Sequence, residues 1–240
     1  MRLNLIFSAD KCEEKHVAGR AAIVIDVLRA TSVIISALAN GAECVTPCKT
    51  VEEARALALS GRSGKILGGE RRADKIPGFD CGNSPLEYTR ERVGGKEIIL
   101  TSSNGTKAVK AAAKADRLYI MALLNHSAVA EKVLSEGKDA VLVCAGTDGE
   151  FSLEDALCAS LFINACAREA KNIILEDAAL FAKAFGGHII NTNNNIYNLL
   201  RNSMHVSKLE SLGYKADIEF CLKENVFDII PELHGGKLFI

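Results

Sequence analysis

Residues 22–32, AIVIDVLRATS, decide the fold: an apolar run at 22–25 is followed by a polar loop, and an Ala- and Ile-rich segment, 31–38, begins directly behind it. The same order recurs at 97–106 (EIILTSSNGT) and at 140–155 (AVLVCAGTDGEFSLED). Short runs of Val, Ile and Leu are typical of strands buried on both faces, and the segments after the loops have helical spacing. Each loop therefore follows the carboxyl end of a predicted strand, where open α/β sheets bind ligands. This layout predicts an anion site.

The remaining pattern extends the alternation of strand and helix to about residue 170. Strands are predicted at 43–46, 65–67 and 117–121, and helices at 51–59, 106–113, 127–134 and 153–167. The alternation indicates a three-layer α/β/α fold with a mostly parallel or mixed sheet.

The C-terminal part of the chain has a different pattern. A helical addition is predicted at about 173–212, with a break at 185–187 and an Asn-rich run at 191–198. Residues 216–222 and 226–230 are predicted to return to strand, ending at Pro231. Since no stretch has linker composition, we expect one α/β domain over residues 1–240.

Composition excludes several classes of partner. The 240 residues carry a net charge of −1 with scattered Lys and Arg, so no basic stripe is present for a nucleic acid. No apolar run of about 18 residues occurs and charge soon interrupts the N-terminal apolar stretch, which predicts a cytoplasmic protein without membrane contact. The eight cysteines lack C-x-x-C spacing and are expected to be reduced thiols rather than disulfides or a zinc site.

The first loop offers a metal-binding carboxylate, Asp26, and a guanidinium suited to phosphate, Arg29, together with the hydroxyls of Thr31 and Ser32. The alternative is structural, because an acid at a strand end also pairs with its own Arg at a turn or caps a helix. From the residues alone both interpretations stay open.

Two further loops carry charged or amide side chains. In GGERR, 68–72, the glycines allow close backbone approach to a ligand, and Glu70, Arg71 and Arg72 supply charge; the alternative is a solvated turn. In PGFDCGNSP, 77–85, Ser84 and Pro85 suit the start of a helix, which leaves Asp80 and Asn83 as candidate ligands.

The other two loops suit anion and cation binding. In TSSNGT, 101–106, Asn104-Gly105 favours positive φ, which folds successive N–H groups into an anion-binding concavity beside the hydroxyls. Residues 152–155, SLED, fit a capping box in which Asp155 reaches back to the helix start, or a cation site that bridges to phosphate. Of the five histidines, His126 is the one candidate for proton transfer; the others are interpreted as surface or core residues.

Common phosphatase and nucleotide motifs are missing from the sequence. It contains no Walker A sequence, no G-x-S-x-G elbow and no tyrosine-phosphatase loop, and Leu28 stands where haloacid-dehalogenase phosphatases carry a second Asp. Taken in order, however, the motifs IDVLRATS, GGERR, PGFDCGNSP, TSSNGT and CAGTDGEFSLEDALCA resemble those of the 2-phosphosulfolactate phosphatase family of coenzyme M biosynthesis. The resemblance extends from about Ile25 to Ala159.

The resemblance implies a magnesium-dependent phosphatase that hydrolyses 2-phospho-3-sulfolactate to 3-sulfolactate and phosphate, with some breadth toward other 2-hydroxy acid phosphates. Mg²⁺ is then expected on Asp26 with Glu70, or on Asp26 with Glu154 and Asp155. Asp26, Arg29 and Cys144 are the catalytic candidates, and attack by water, Asp26 or Cys144 is left open. The residues expected to bind substrate are Thr31, Ser32, Arg71, Arg72, Asn83, Ser102, Asn104, Gly105, Thr106 and Gly146.

Two alternatives remain at this stage: a phosphatase for another 2-hydroxy acid phosphate, and a non-catalytic protein that binds phosphate or sulfonate. The first keeps every motif, whereas the second needs no metal carboxylates. The apolar composition is also compatible with a homodimer.

Overall fold

A mixed β-sheet forms the centre of the computed structural model, which describes residues 1–60, 64–192 and 195–240, without the side chains of residues 191 and 192. Its strands in chain order are β1 (Arg2–Ile6), β2 (Ala21–Ile25), β3 (Cys44–Cys48), β4 (Lys65–Arg71), β5 (Asp74–Lys75), β6 (Glu97–Thr101), β7 (Arg117–Met121), β8 (Ala140–Cys144), β9 (Ile174–Leu175), β10 (Glu232–His234) and β11 (Lys237–Phe239). They lie side by side in the order β5-β4-β6-β3-β11-β10-β7-β2-β8-β1-β9.

Helices cover both faces of the sheet. They are α1 (Glu14–Val17), α2 (Ala30–Ala39), α3 (Val51–Leu59), α4 (Arg90–Val93), α5 (Gly105–Ala112), α6 (His126–Glu136), α7 (Leu153–Glu169), α8 (Asp177–Thr192), α9 (Ile196–Leu200), α10 (Met204–Ser211) and α11 (Lys215–Cys221). In β2, alternate side chains serve opposite faces: Ile23 and Ile25 pack with residues of α6 and α7, and Ala22 and Val24 pack with residues of α2 and α5. The predicted three-layer α/β/α fold is confirmed.

A C-terminal hairpin joins two groups of parallel strands. β4, β6 and β3 are parallel to one another, as are β7, β2, β8, β1 and β9. Between the groups, β11 pairs with β3 and β10 pairs with β7, and these pairings and the β10–β11 pairing are all antiparallel. Three reversals mean that the two groups run in opposite senses, so the sheet is mixed.

The sequence prediction was wrong in parts of the C-terminal region. Residues 216–222 are mostly helical in α11, and 226–230 lie outside regular structure. The apparent alternation misled because α11 buries Asp217, Ile218 and Cys221, which is the one-sided spacing of a helix. The helical addition therefore begins at Asp177 and extends to Cys221, whereas the predicted limits were about 173 and 212; residues 174 and 175 form the short strand β9. Of the Asn-rich run, residues 193 and 194 lie outside the described residues.

The break predicted at 185–187 was also wrong, because α8 runs through it. A Cβ at Gly186 would lie 2.6 Å from Asn164 Nδ2 and 2.8 Å from the Ser160 carbonyl oxygen. This glycine therefore lets α8 pack closely against α7.

Candidate active site

Loops from both strand groups enclose one cleft. It is lined by residues of the loops that follow β2, β4, β6 and β8, by Asn83 and by helix α10. Of the residues predicted for the site, the lining includes Asp26, Arg29, Glu70, Arg72, Asn83 and Asn104; it also contains Leu28, Ala73, Ser103, Thr147, Asp148, His205, Lys208 and Leu209. The motifs separated in sequence thus meet at one place.

Asp26 lies at the inner end of this cleft, in the loop between β2 and α2. Its Oδ1 accepts a hydrogen bond from the Ala30 N–H at 3.1 Å, while Thr31 Oγ1 holds the Asp26 backbone. Its Oδ2 faces the start of α5, where a Cβ at Gly105 would lie 2.5 Å away. Glycine at 105 therefore allows the start of α5 to approach the carboxylate closely.

The ionised form of Asp26 is unfavourable in this setting. Burial raises the pKa of Asp26 from 3.8 to about 6, against the Ala30 hydrogen bond and the charge of His205, which lower it. The charges of Glu70 and Glu154 raise the pKa further. A cation beside Asp26 would offset this repulsion.

Glu154 and His205 form a pair beside the cleft: His205 lines it, whereas Glu154 is buried behind His205 and does not. Glu154 Oε1 lies 2.6 Å from His205 Nδ1, and Glu154 Oε2 is buried without a hydrogen-bond partner among the described residues. Burial opposes the charge on both groups, but their mutual interaction lowers the pKa of Glu154 and raises that of His205. His205 also lies 3.3 Å from Thr147 Oγ1. Sequence reasoning missed His205 because no local pattern links it to an acid 51 residues earlier.

Asp155 fastens two loops to each other. Its Oδ1 accepts the Val27 N–H at 2.8 Å and its Oδ2 accepts the Gly146 N–H at 3.2 Å. The predicted capping box is not formed, since Ser152 at the N-cap makes no side-chain capping bond and Asp155 reaches other loops. Gly146 was expected to bind substrate, but its N–H already serves Asp155. Burial, together with the charges of Asp26 and Glu154, raises the pKa of Asp155 well above its usual range.

Glu70 makes a similar link on the other side of the cleft. Its Oε1 accepts the Ser103 N–H at 2.6 Å, and its Oε2 accepts the Ala73 N–H at 2.8 Å and the Ser103 hydroxyl at 3.2 Å. This carboxylate thereby fixes the β4–β5 turn to the loop after β6.

Arg72 and Ala73 form that turn, a two-residue hairpin connection with φ angles of 56° and 72°. Glycine or asparagine normally occupies such positions, so the backbone is strained there. The Arg72 side chain is exposed and lines the cleft, and no described residue accepts a hydrogen bond from it or pairs with its charge.

Arg29 is held by helix α11 and the turn before it. Its guanidinium pairs with Asp217 at 2.5 Å, donates to the Ala73 carbonyl at 3.2 Å and stacks 4.0 Å above the Tyr214 ring. Asp217 also accepts the Ser84 hydroxyl at 2.6 Å. The structural alternative for the first loop paired Arg29 with an acid at its own turn, but the acid that it meets lies 188 residues away.

The structure does not support Cys144 as a nucleophile. Its side chain is fully buried in the hydrophobic core and does not line the cleft. Burial, together with the charge of Asp155, raises the pKa of the thiol well above its usual range. A buried, protonated thiol is a weak nucleophile, so attack by Cys144 is disfavoured.

Several residues expected to bind substrate instead stabilise the loops. Arg71 donates to the Glu70 carbonyl at 2.7 Å and to Thr101 Oγ1 at 2.9 Å, and it does not line the cleft. Four buried hydroxyl residues close hydrogen bonds within their own loops: Thr31 and Ser32 to backbone carbonyls of Asp26 and Val27, and Ser102 and Thr106 to each other.

His126, the candidate for proton transfer, contacts Glu224 and Asn225 outside the cleft.

The carboxylates fit a magnesium ion in one arrangement better than in the others. No group of three His, Cys, Asp or Glu side chains among the described residues is arranged to hold a metal, but Mg²⁺ requires only one or two carboxylates with water and phosphate oxygens. Asp26 Oδ2 and Glu154 Oε2 accept no hydrogen bond from the residues that the structure describes, whereas both oxygens of Glu70 and Asp155 accept backbone N–H groups. The donor set therefore favours Asp26 with Glu154.

An α/β sheet whose loops gather buried acids and unpaired cations around one cleft is typical of an enzyme that acts on small anionic molecules. The family model for 2-phosphosulpholactate phosphatase matches residues 6–236. The chain belongs to this family, which confirms the resemblance seen in the motifs, and it is accordingly a phosphatase.

Within the described part of the chain, no helix has the length and apolarity to cross a bilayer.

Similar proteins span the whole chain. A probable 2-phosphosulfolactate phosphatase of Clostridium beijerinckii is 42% identical over 239 residues, which cover 99% of both chains. Proteins with the same description from Clostridium acetobutylicum and Clostridium tetani are also 42% identical, over 238 and 236 residues. These alignments cover 99% and 98% of this chain, and 100% and 99% of the relatives.

Proposed function

We propose that the chain hydrolyses 2-phospho-3-sulfolactate to 3-sulfolactate and phosphate in the cleft around Asp26. One observation carries the proposal: the second oxygen of Asp26 lies against the start of α5 and accepts no hydrogen bond from the described residues, and the same part of the chain offers no ion-pair partner to Arg72 or Lys208 in this cleft. A helix N-terminus and nearby cations suit a substrate that brings a phosphate, a carboxylate and a sulfonate.

We propose Mg²⁺ as the cofactor, held by Asp26 and Glu154 with water and phosphate oxygens. The raised pKa of Asp26 and the unpartnered Oε2 of Glu154 support this assignment. When bound, the ion would polarise the phosphoryl group and offset the negative charge of the acids.

The residues of the chain orient the substrate. The N–H groups at the start of α5 bind phosphate oxygens, and Glu70 keeps this loop in place through the Ser103 N–H. Arg29, fixed by Asp217 and Tyr214, directs positive charge at the same region. These groups stabilise the negative charge of the transferring phosphoryl group.

Asp26 is the group next to the reacting phosphate. If water attacks, its oxygen bonds to phosphorus as the bond from phosphorus to the C2 oxygen breaks; Asp26 takes the proton of the water and returns it to the C2 oxygen, which leaves as the hydroxyl of 3-sulfolactate. If Asp26 attacks instead, its Oδ2 bonds to phosphorus as the bond from phosphorus to the C2 oxygen breaks, and the leaving oxygen takes a proton from solvent water. In a second step water attacks the phosphorus of the acyl phosphate, gives its proton to solvent, and releases phosphate and the Asp26 carboxylate. Both routes need the ionised carboxylate.

A second candidate is hydrolysis of another 2-hydroxy acid phosphate. The loops around Asp26 account for the phosphate and the metal without reference to a sulfonate, which supports breadth toward such esters. A purely binding protein is disfavoured, because it would gain nothing from an unpartnered carboxylate beside the phosphate position.

The test is phosphate release from 2-phospho-3-sulfolactate and 2-phospholactate, first with Mg²⁺ and then with excess chelator. We expect rapid release from the first ester, slower release from the second, and loss of both with chelator. Equal rates would favour the broader substrate class. Absence of release from either ester, with tight binding of 3-sulfolactate, would contradict a catalytic role.

We further propose that this reaction supplies coenzyme M biosynthesis in the cytoplasm. All eight cysteines are free, which suits a reducing compartment.

We also propose a homodimer, supported by exposed apolar side chains such as Phe151, Phe181 and Met204. Light scattering after size-exclusion chromatography distinguishes a dimer from a monomer.

A further inference from the structure

Helix α10 forms one wall of the cleft. His205, Lys208 and Leu209 all line it. They stand at positions i, i+3 and i+4, so a single face of the helix is turned toward the site. This helix lies in the C-terminal helical addition, outside the loops that carry the family motifs.

The cationic side chains of the cleft differ in whether they have an ion-pair partner. Arg29 is paired with Asp217, and His205 is engaged by Glu154. Lys208 and Arg72 are exposed, and the described part of the chain offers neither of them an ion pair or a hydrogen-bond acceptor. Two positive charges are therefore available at the rim, while Asp26 is buried at the inner end.

A 2-phospho-3-sulfolactate molecule has three anionic groups of different shape. Its phosphate belongs at the inner end, beside Asp26 and the start of α5. A planar carboxylate matches the planar fork of a guanidinium, which Arg72 offers. The sulfonate spreads its charge over three oxygens and stands one carbon farther from the ester, which suits a compact ammonium on a long flexible side chain.

We propose that Lys208 binds the sulfonate and is the residue that makes the cleft prefer a 2-hydroxy acid phosphate with a third anionic group. This inference rests on the proposed phosphatase function and deepens it. It assigns a role in substrate discrimination to the C-terminal helical addition.

The test compares the ratio of kcat/KM for 2-phospho-3-sulfolactate to kcat/KM for 2-phospholactate, which lacks the sulfonate. In Lys208→Gln we expect this ratio to fall roughly ten-fold or more, as for loss of a hydrogen bond to a charged group. Lys208→Arg should keep most of the ratio, because it retains the charge. Lys183→Gln is the matched control, since Lys183 is exposed on α8 of the same addition and does not line the cleft.

Binding of 3-sulfolactate and lactate, measured by calorimetry on the same variants, gives a readout independent of turnover. A roughly ten-fold weaker affinity of Lys208→Gln for 3-sulfolactate, with little change for lactate, would support the inference. A ratio and an affinity that match those of the wild type would overturn it, as would equal losses for both molecules. Absence of phosphate release by the wild type would contradict the proposed function, and the binding result would still decide the role of Lys208.

Discussion

Asp26 and Asp155 are neighbouring buried acids, 7% and 2% exposed, and burial raises the pKa of each. They differ in the number of hydrogen bonds that their carboxylate oxygens accept. Both oxygens of Asp155 accept backbone N–H groups, from Val27 and Gly146, whereas Asp26 accepts one such bond and turns its other oxygen toward the cleft and the start of α5. Burial and a raised pKa therefore do not distinguish these two acids, whereas the oxygen of Asp26 that accepts no hydrogen bond from the described residues does.

The same difference separates Glu70 from Glu154. Glu70 uses both oxygens to join two loops, while Glu154 binds His205 with one oxygen and leaves the other without a partner in the described structure. The four acids that the sequence grouped as metal ligands thus divide into two that join loops with both oxygens and two that each keep one oxygen without a hydrogen-bond donor among the described residues.

The largest expected effect comes from Asp26→Asn. The variant keeps the size of the side chain and the acceptor for Ala30, but it loses the negative charge that both reaction routes need. Phosphate release should fall about 10³-fold, the scale found when a group that stabilises a transition state is removed. Thermal unfolding of the same sample should show a folded protein. Wild-type turnover in this variant would remove Asp26 from the reaction.

The pKa of Asp26 predicts a pH effect on stability in metal-free protein. Because the folded protein holds this proton up to about pH 6 and the unfolded chain only to about 3.8, the free energy of unfolding should fall as pH rises between these values. A shift of about two pKa units corresponds to up to about 3 kcal/mol. Denaturant unfolding of the wild type and Asp26→Asn from pH 4.5 to 7.5 isolates the contribution of this carboxyl group to the free energy of unfolding. The variant lacks the titrating group, so its stability does not contain that contribution. A stability difference that does not change with pH would contradict the predicted pKa.

Asp155→Asn tests the structural member of the pair. An amide offers one acceptor where the carboxylate offers two, so either Val27 or Gly146 is left with an unpaired, buried N–H group. The free energy of unfolding should fall by about 1–3 kcal/mol, and turnover should fall much less than in Asp26→Asn. A stable variant that has lost as much turnover as Asp26→Asn would show that Asp155 takes part in the chemistry.

The smallest effect is expected from Cys144→Ala. The buried thiol makes no contact with the cleft, so phosphate release should stay within about two-fold of the wild type, with a modest loss of stability from the small cavity. A loss comparable to that of Asp26→Asn would restore Cys144 as a nucleophile.

The strands of the sheet were predictable where they are buried on both faces. Residues 22–25, 97–100 and 140–143 form the greater parts of β2, β6 and β8, because continuous Val, Ile and Leu runs have few other stable settings. The hairpin β10–β11 was missed, although Gly235-Gly236 is a recognised signal for a hairpin turn; the segments beside it, ELH and KLF, mix polar with apolar residues. Its strands have three residues each, too few for periodicity to show. The single-domain assignment stays a prediction.

The site was predictable only in part, for a related reason. Asp26 and Asn83 stand in loops and Glu70 stands at the end of β4, all within motifs that have local signals. His205 and Lys208 instead belong to a helix that reaches the cleft through tertiary packing, and Asp217 lies on the helix that holds Arg29. The type of a residue also did not reveal whether its side chain faces the cleft. Thr31, Ser32 and Arg71 have the right chemistry for an anion, but their side chains bond to their own loops or to neighbouring strands.

The most direct test of this account is the initial rate of phosphate release from 2-phospho-3-sulfolactate with Mg²⁺, measured together for the wild type, Asp26→Asn and Asp155→Asn. We expect turnover by the wild type, a loss of about 10³-fold in Asp26→Asn, and a much smaller loss in folded Asp155→Asn. Equal rates for the wild type and Asp26→Asn, or the larger loss in Asp155→Asn, would contradict this expectation.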